Sequence, residues 1–342
     1  MPGKPKILVD TYYRKMDSIF SPADRDRLYS MADVIWGKDE PMPEAEAKEA
    51  LKEAEVLIGT DWRYGDALDT ASKLRAYISV GGNLPEGLDY QKCFAKGIRV
   101  LSCAPAFGLQ VAEYSLGLAL AGARGICRGD AAMKAGNETY FENVGTFVMT
   151  GQPVGIIGYG GIARALKPLL DPFRCPVAVY DPWLVDGYLR TQGVEPMGLE
   201  RLLETSKIIF VLAVPSRENA ALLSRAMLEK IQPGAVLVIV SRAHVVDFEA
   251  LTDMVEAKRF TAAVDVFPVE PFPKEHRIRR APNVILSAHR AGSVKEELWQ
   301  IGSMTVDDLE AVLRGLPPQR MQIAQPELVK RYDPKGFHAG LA

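Results

Sequence analysis

The chain has 342 residues, 48% of them apolar and 25% charged, which suits about two globular domains with substantial cores. Its 41 basic and 43 acidic side chains leave a formal charge of −2, which argues against a general nucleic-acid binder. With 29 Gly and 23 Pro it is neither collagen-like nor low-complexity, and its longest purely apolar runs, such as 208–214, fall far short of the ~20 residues that cross a bilayer.

In chain order, 6–10 reads as a strand, 23–31 as a helix and 32–36 as a second strand. Helix formers fill 43–53, and strands follow at 56–59 and 76–80, the latter ending in Gly81-Gly82-Asn83. This alternation predicts a parallel sheet covered by helices. A long, partly small-residue helix is expected over 110–135. From residue 151 the rhythm restarts, with apolar strands expected at 154–157, 177–180, 208–214, 235–240, 262–266 and 284–286. Helices are expected between them at 164–170, 202–206, 226–231 and 248–257, and an amphipathic helix over 294–314 stops at Gly315 before Pro317-Pro318. The tail from residue 319 is polar and is expected to drape over a surface.

The start of the chain turns directly into a strand without the apolar core of a signal peptide, so a cytoplasmic location is expected. Cys93, Cys103, Cys127 and Cys175 form no C-x-x-C pair and read as free thiols in a reducing compartment. No metal-ligand spacing joins them to the four His.

The strongest local signal is Val154-Gly-Ile-Ile-Gly158-Tyr-Gly160-Gly161-Ile162-Ala163, a G-x-G-x-x-A between a strand and a helix. Gly158 permits the tight turn, Gly160 lets the backbone approach a pyrophosphate, and a small residue at 163 allows helix and strand to pack closely. The N-terminus of the helix then faces the anion. Asp181 follows the next strand. A carboxylate there accepts the ribose hydroxyls of an adenosine and repels a 2′-phosphate, so NAD is favoured over NADP.

Three further segments sit at or beyond strand ends, where open α/β sheets bind ligands: Ser241-Arg242, Asp265-Val-Phe-Pro-Val-Glu270-Pro and Ala288-His289-Arg290-Ala-Gly292. With V-A-E at 111–113, Y-D-P at 180–182, V-P at 214–215 and V-D at 246–247, they make roughly residues 55–316 resemble the D-isomer-specific 2-hydroxyacid dehydrogenases. That group contains phosphoglycerate dehydrogenase and the glyoxylate/hydroxypyruvate reductases. The resemblance implies that Arg242 binds the substrate carboxylate and polarises its carbonyl, that His289 is the acid/base and that Glu270 pairs with it. It implies that Val214-Pro215 flank the adenosine and Asp265 the nicotinamide side, with Gly161, Ile162, Val240 and Gly292 also at the cofactor. It places the substrate carboxylate at the loop Gly81, Gly82 and Asn83, whose glycines allow close approach. Arg63 and Trp62, after another strand, are candidate pocket walls.

The chemistry stands without the family. Reducing a 2-keto acid builds charge on the carbonyl oxygen, which a guanidinium stabilises. His is the side chain suited to deliver a proton near neutrality, and a carboxylate beside it favours the protonated form. The family usually has Gly where Ala243 stands and an aliphatic residue where Arg290 stands. Arg290 is expected in solvent or in an ion pair, with recognition of an extra group on the substrate as the other reading. His244, His276 and His338 read as structural, loop and tail residues.

The expected architecture is a flavodoxin-like α/β substrate domain, 1–107 completed by 294–342, with a Rossmann NAD-binding domain, 108–293, inserted into it. The resemblance implies a homodimer through the inserted domain around 122–151 and a small anionic substrate; the near-neutral charge and short apolar runs make neither nucleic acid nor membrane an expected partner. Two other readings stay open, a non-catalytic NAD(H)-sensing corepressor and a phosphite-type small-anion dehydrogenase. Glu270 argues against the formate dehydrogenase branch, which carries Gln there.

Overall fold

The computed structural model describes residues 3–137, 145–216 and 218–331. His338 and the end of the tail lie outside them, as do residues 138–144 of the segment expected at a dimer contact. The described chain divides into two units, 3–107 with 293–331, and 108–292.

The first unit is built on strands β1 (Lys6–Asp10), β2 (Asp33–Trp36), β3 (Val56–Gly59), β4 (Ala76–Ser79) and β5 (Arg99–Ser102), all parallel where they pair. β3 and β4 are buried along their whole length, as their mostly apolar sequences suit between two helix layers, with Ser79 the polar residue at the end of β4. The spatial order β5-β4-β3-β1-β2 reverses direction between β1 and β3. This is the flavodoxin-like 2-1-3-4-5 winding, whose switch point opens between the loops after β1 and β3. The helix Pro22–Met31 begins at Ser21, whose hydroxyl accepts the Asp24 N–H at 3.1 Å.

The tail does more than drape. Buried Asp308, on the helix Trp299–Leu313, accepts the N–H groups of Gln319 (2.7 Å) and Met321 (2.7 Å). That turn delivers Gln322–Ile323 antiparallel onto β5, and a short helix, Pro326–Arg331, follows. The helix expected from 294 starts only at Trp299.

The second unit holds β6 (Val154–Ile157), β7 (Val177–Tyr180), β8 (Glu195–Pro196), β9 (Ile208–Val211), β10 (Val236–Ile239), β11 (Thr261–Val264) and β12 (Val284–Leu286). Their order, β12-β11-β10-β9-β6-β7-β8, is the Rossmann winding with its switch point between β6 and β9. The long helix expected over 110–135 is two helices, Gly108–Arg124 and Ile126–Lys134. They part at Gly125, whose φ of +64° no right-handed helix contains. Among the described residues no helix is long and apolar enough to cross a membrane.

Candidate active site

At the switch point of the second unit, β6 runs into Gly158 and the helix Gly161–Leu170, which Gly160 precedes as N-cap. Gly158 has φ +88°, and a Cβ there would stand 2.5 Å from the Ala213 backbone. Only glycine lets the loop after β6 lie so close to the loop after β9, which carries Val214 and Pro215. Gly160 and Gly161 have open space where their side chains would be, Ile162 is half-buried and Ala163 is buried against the sheet.

Asp181, at the end of β7, holds this loop. One carboxylate oxygen accepts the Tyr159 N–H at 2.7 Å and the other the Trp183 N–H at 2.9 Å. It is therefore a loop-capping group first. A carboxylate has about four acceptor positions, so two remain for further donors.

The loops after β10, β11 and β12 bring three predicted residues into one electrostatic group. His289 Nδ1 lies 2.7 Å from Glu270 Oε2, and Glu270 Oε1 accepts the Phe267 N–H at 3.0 Å. Burial alone would push the Glu270 carboxyl up. The His289 bond, the Phe267 N–H and the charges of His289 and Arg242 prevail and hold it below the ordinary carboxylate range. Arg242 is half-buried, and its guanidinium donates to Ser241 O at 2.7 Å. Val240, buried, immediately follows β10.

His289 sits at φ +50°, a left-handed conformation uncommon for a side-chain-bearing residue. Fully buried Asp265 over-determines it. Its carbonyl accepts the His289 N–H at 2.7 Å, and its carboxylate accepts those of Arg290 (2.9 Å) and Ala291 (3.0 Å), just before Gly292. The contacts of Asp265 are with this loop, a positioning role that sequence reasoning missed. The Arg290 side chain is exposed and forms no ion pair among the described residues. His244 is half-buried in the turn after Arg242, and His276 caps Ile278 and meets Glu249.

In the first unit, the loop after β4 is organised around Ser79. Its hydroxyl lies 3.0 Å from Asn83 O and 3.4 Å from the Gly81 N. Gly82, at φ +99°, presses on Phe107, where a Cβ would stand 3.0 Å from the ring. The Gly82 N–H is turned to the Cys103 sulfur. The Gly81 and Gly82 N–H groups thus have internal partners, whereas that of Asn83 has none among the described residues.

Arg63, a candidate pocket wall, is held by a buried acid. Its guanidinium forms an ion pair with Asp10, whose side chain is fully buried, and donates to Met42 O at 2.8 Å. The Tyr64 hydroxyl donates to the same Asp10 oxygen at 2.7 Å. Arg63 is thus engaged in neutralising a buried carboxylate within its own unit. Trp62 is buried beneath it, edge-on to Tyr64. The clue available in the sequence was Asp10 itself, an acid that follows the apolar run Ile7-Leu8-Val9.

The four cysteines are free, and among the described residues no group of three or more His, Cys, Asp or Glu is placed to hold a metal ion.

Comparisons with known proteins agree in kind. A family model described as D-isomer specific 2-hydroxyacid dehydrogenase, NAD binding domain, matches residues 116–291. A D-3-phosphoglycerate dehydrogenase of Archaeoglobus fulgidus is 25% identical over 271 residues, covering 79% of this chain and 51% of that protein. The chain thus spans about half the length of the phosphoglycerate dehydrogenases it matches. A glyoxylate reductase of Korarchaeum cryptofilum is 26% identical over 312 residues, covering 89% of this chain and 92% of its own length. A crystal structure described as a phosphoglycerate oxidoreductase from Rhizobium etli superposes with TM-score 0.83 at 34% identity, covering 94% of this chain and 99% of that one.

Proposed function

The chain belongs to the D-isomer specific 2-hydroxyacid dehydrogenase family, with residues 116–291 as its NAD binding domain, and from that premise we propose that it interconverts a small 2-keto acid and the D-2-hydroxy acid with NAD(H). The observation that carries the reading is the His289–Glu270 pair at 2.7 Å, with the charge of Arg242 acting on Glu270.

The residues at the switch point of the second unit fit a dinucleotide. The open space at Gly160 and Gly161 accommodates a pyrophosphate at the N-terminus of the helix Gly161–Leu170, with Val214 and Pro215 beside it. The two acceptor positions left on Asp181 suit the ribose hydroxyls and disfavour a 2′-phosphate, hence NAD over NADP. When bound, the nicotinamide supplies or accepts the hydride.

The chain's own residues do the rest. Arg242 clamps the substrate carboxylate in its planar fork and stabilises the charge that grows on the carbonyl oxygen. Glu270 fixes the His289 ring through Nδ1, which leaves Nε2 to give its proton to that oxygen in reduction and to take it back in oxidation. Asp265 holds the His289 loop in place. The unit of 3–107 with 293–331 is the substrate domain in this reading, with Asn83 and its neighbouring glycines at the carboxylate. A homodimer through the second unit is supported by the exposed apolar side chains of Leu109, Ile126, Met133 and Val148.

The test is the loss of NADH absorbance with glyoxylate, hydroxypyruvate, pyruvate and bulkier 2-keto acids, with chiral analysis of the product. Turnover to the D-hydroxy acid is expected. Tight NADH binding with no turnover on any of these acids would overturn the dehydrogenase reading in favour of an NAD(H) sensor.

A further inference from the structure

The loop after β1 stands at the other switch point, that of the first unit, and nothing in the proposed chemistry yet uses it. Its turn is fixed twice. The Arg14 N–H donates to Thr11 O at 3.1 Å, and the Thr11 hydroxyl donates to Arg14 O at 2.5 Å. Tyr12, at φ +55°, completes the turn, and Tyr12 and Tyr13 are both exposed with their rings edge to face. The turn therefore presents its side chains in a set geometry beyond the carboxyl end of β1.

Arg14 is the unusual member. Its guanidinium lies over the Phe107 ring at 5.5 Å and the Tyr13 ring at 5.7 Å, and reaches Gly81 O at 3.4 Å. Its Nε is buried and bonded to nothing, and no carboxylate pairs with it among the described residues. The contrast with Arg63 across the same switch point is direct, because Arg63 faces Asp10. Burial pushes the Cys103 thiol up to about 12, and the Arg14 charge works against that rise, which places the cation beside the loop of Gly81 and Gly82. A partly desolvated guanidinium with aromatic walls and no counter-ion is costly unless an anion completes it.

We propose that Arg14 is a specificity-determining residue that binds a second anionic group of the substrate, so that the preferred 2-keto acid carries a carboxylate or phosphate besides its C1 carboxylate. The proposal rests on the reading of the chain as a 2-hydroxyacid dehydrogenase with the loop 81–83 at the substrate. The charge count supports it. Within the first unit the loop 81–83 offers N–H groups but no full charge, and Arg14 is the guanidinium beside it that no carboxylate pairs among the described residues.

The experiment compares kcat/KM with NADH for acids that differ in the second group. Oxaloacetate and 2-oxoglutarate are set against pyruvate and 2-oxobutyrate, and 3-phosphohydroxypyruvate against hydroxypyruvate, so the two arms separate carboxylate from phosphate. In at least one arm the dianionic acid should be favoured at least tenfold. Arg14→Met should shrink that ratio by about tenfold to a hundredfold, the usual weight of a charged hydrogen bond, and Arg14→Lys should restore part of it. Thermal melting of each variant controls for folding, and the ratio within one variant is insensitive to the fraction folded. Turnover of the singly charged acids with no preference in either arm, or a ratio that Arg14→Met leaves unchanged, would overturn the inference and leave the dehydrogenase reading standing. Absence of turnover on every acid would sink both.

Discussion

The main-chain carbonyl of Asp265 accepts the N–H of His289 at 2.7 Å, and the Asp265 carboxylate takes the next two N–H groups in the chain. One buried residue thus fixes three consecutive residues, including an imidazole in a left-handed conformation that would relax without it. Asp265→Asn is a sharp probe, because an amide offers one acceptor where the carboxylate offered two and turns a donor towards a donor. A buried unsatisfied N–H costs about 1–3 kcal/mol, so the melting temperature should fall. The value of kcat should fall with it by tenfold or more, with a smaller change in KM for the keto acid. An unchanged melting temperature would remove the loop-holding account.

His289→Ala removes the proposed proton donor but leaves the glycine loop and Asp181 untouched. Turnover should drop by about 10²–10⁴, the usual share of general acid–base catalysis, while NADH affinity by fluorescence titration stays close to wild type. Turnover at the wild-type rate would mean that another group delivers the proton.

Glu270 gives the pH dependence a definite sign. Its carboxyl is held below the ordinary range in the folded protein, so the fold favours its ionised form. The corresponding stability is present above the ordinary carboxylate value and is lost as pH falls through the depressed one. Glu270→Gln should therefore flatten the acid limb of a plot of urea midpoint against pH. It should also lower kcat, because an amide does not favour a protonated imidazole. An acid limb of the same steepness in both proteins would show that the pair carries no such linkage.

Much of this arrangement was legible in the sequence because it is local or periodic. The strands at 56–59, 154–157, 177–180 and 284–286 are short apolar runs with punctuation at both ends, and they form where the pattern puts them. The Gly158 turn announces itself because only glycine meets its φ and its approach to Ala213. What was hidden depends on long-range partners. Arg63 looked like a pocket wall because nothing near it in sequence reveals that Asp10, on another strand, needs its charge. The loop-holding bonds of Asp265 were hidden because its partners, residues 290 and 291, lie across a strand and two loops. The two helices within 110–135 were merged because their apolar period runs across Gly125, and a φ is not written in a period.

Asp181 caps the glycine loop and is also the proposed ribose acceptor, so the two roles have to be tested apart. Replacement by Ala would remove the acceptors of the Tyr159 and Trp183 N–H groups together with the charge, mixing loop collapse with cofactor choice. Asp181→Asn keeps one of the two acceptors, at the cost of one loop bond that the melting temperature reads, and removes the charge proposed to repel a 2′-phosphate. The ratio of kcat/KM for NADH over NADPH should fall by about tenfold or more in that variant, from a wild-type value that favours NADH. A wild type that prefers NADPH would contradict the assignment.

The Arg63–Asp10 pair makes a stability prediction that can be set against the pocket-wall reading. Asp10 has a fully buried side chain, and Arg63 is the cation paired with it. Breaking a buried pair by removing one partner typically costs about 3–5 kcal/mol, because the remaining charge stays buried with only neutral donors. Here those donors are the Tyr64 hydroxyl at 2.7 Å and the Met42 N–H at 3.3 Å. Arg63→Ala should therefore lower the unfolding free energy measured in urea by several kcal/mol, whereas the double variant Arg63→Met with Asp10→Leu should recover part of the loss by removing both charges. The relative kcat/KM among keto acids should be the same in the folded Arg63→Ala protein as in wild type. A change in that ranking with little loss of stability would return Arg63 to the substrate pocket and make the Asp10 pair incidental.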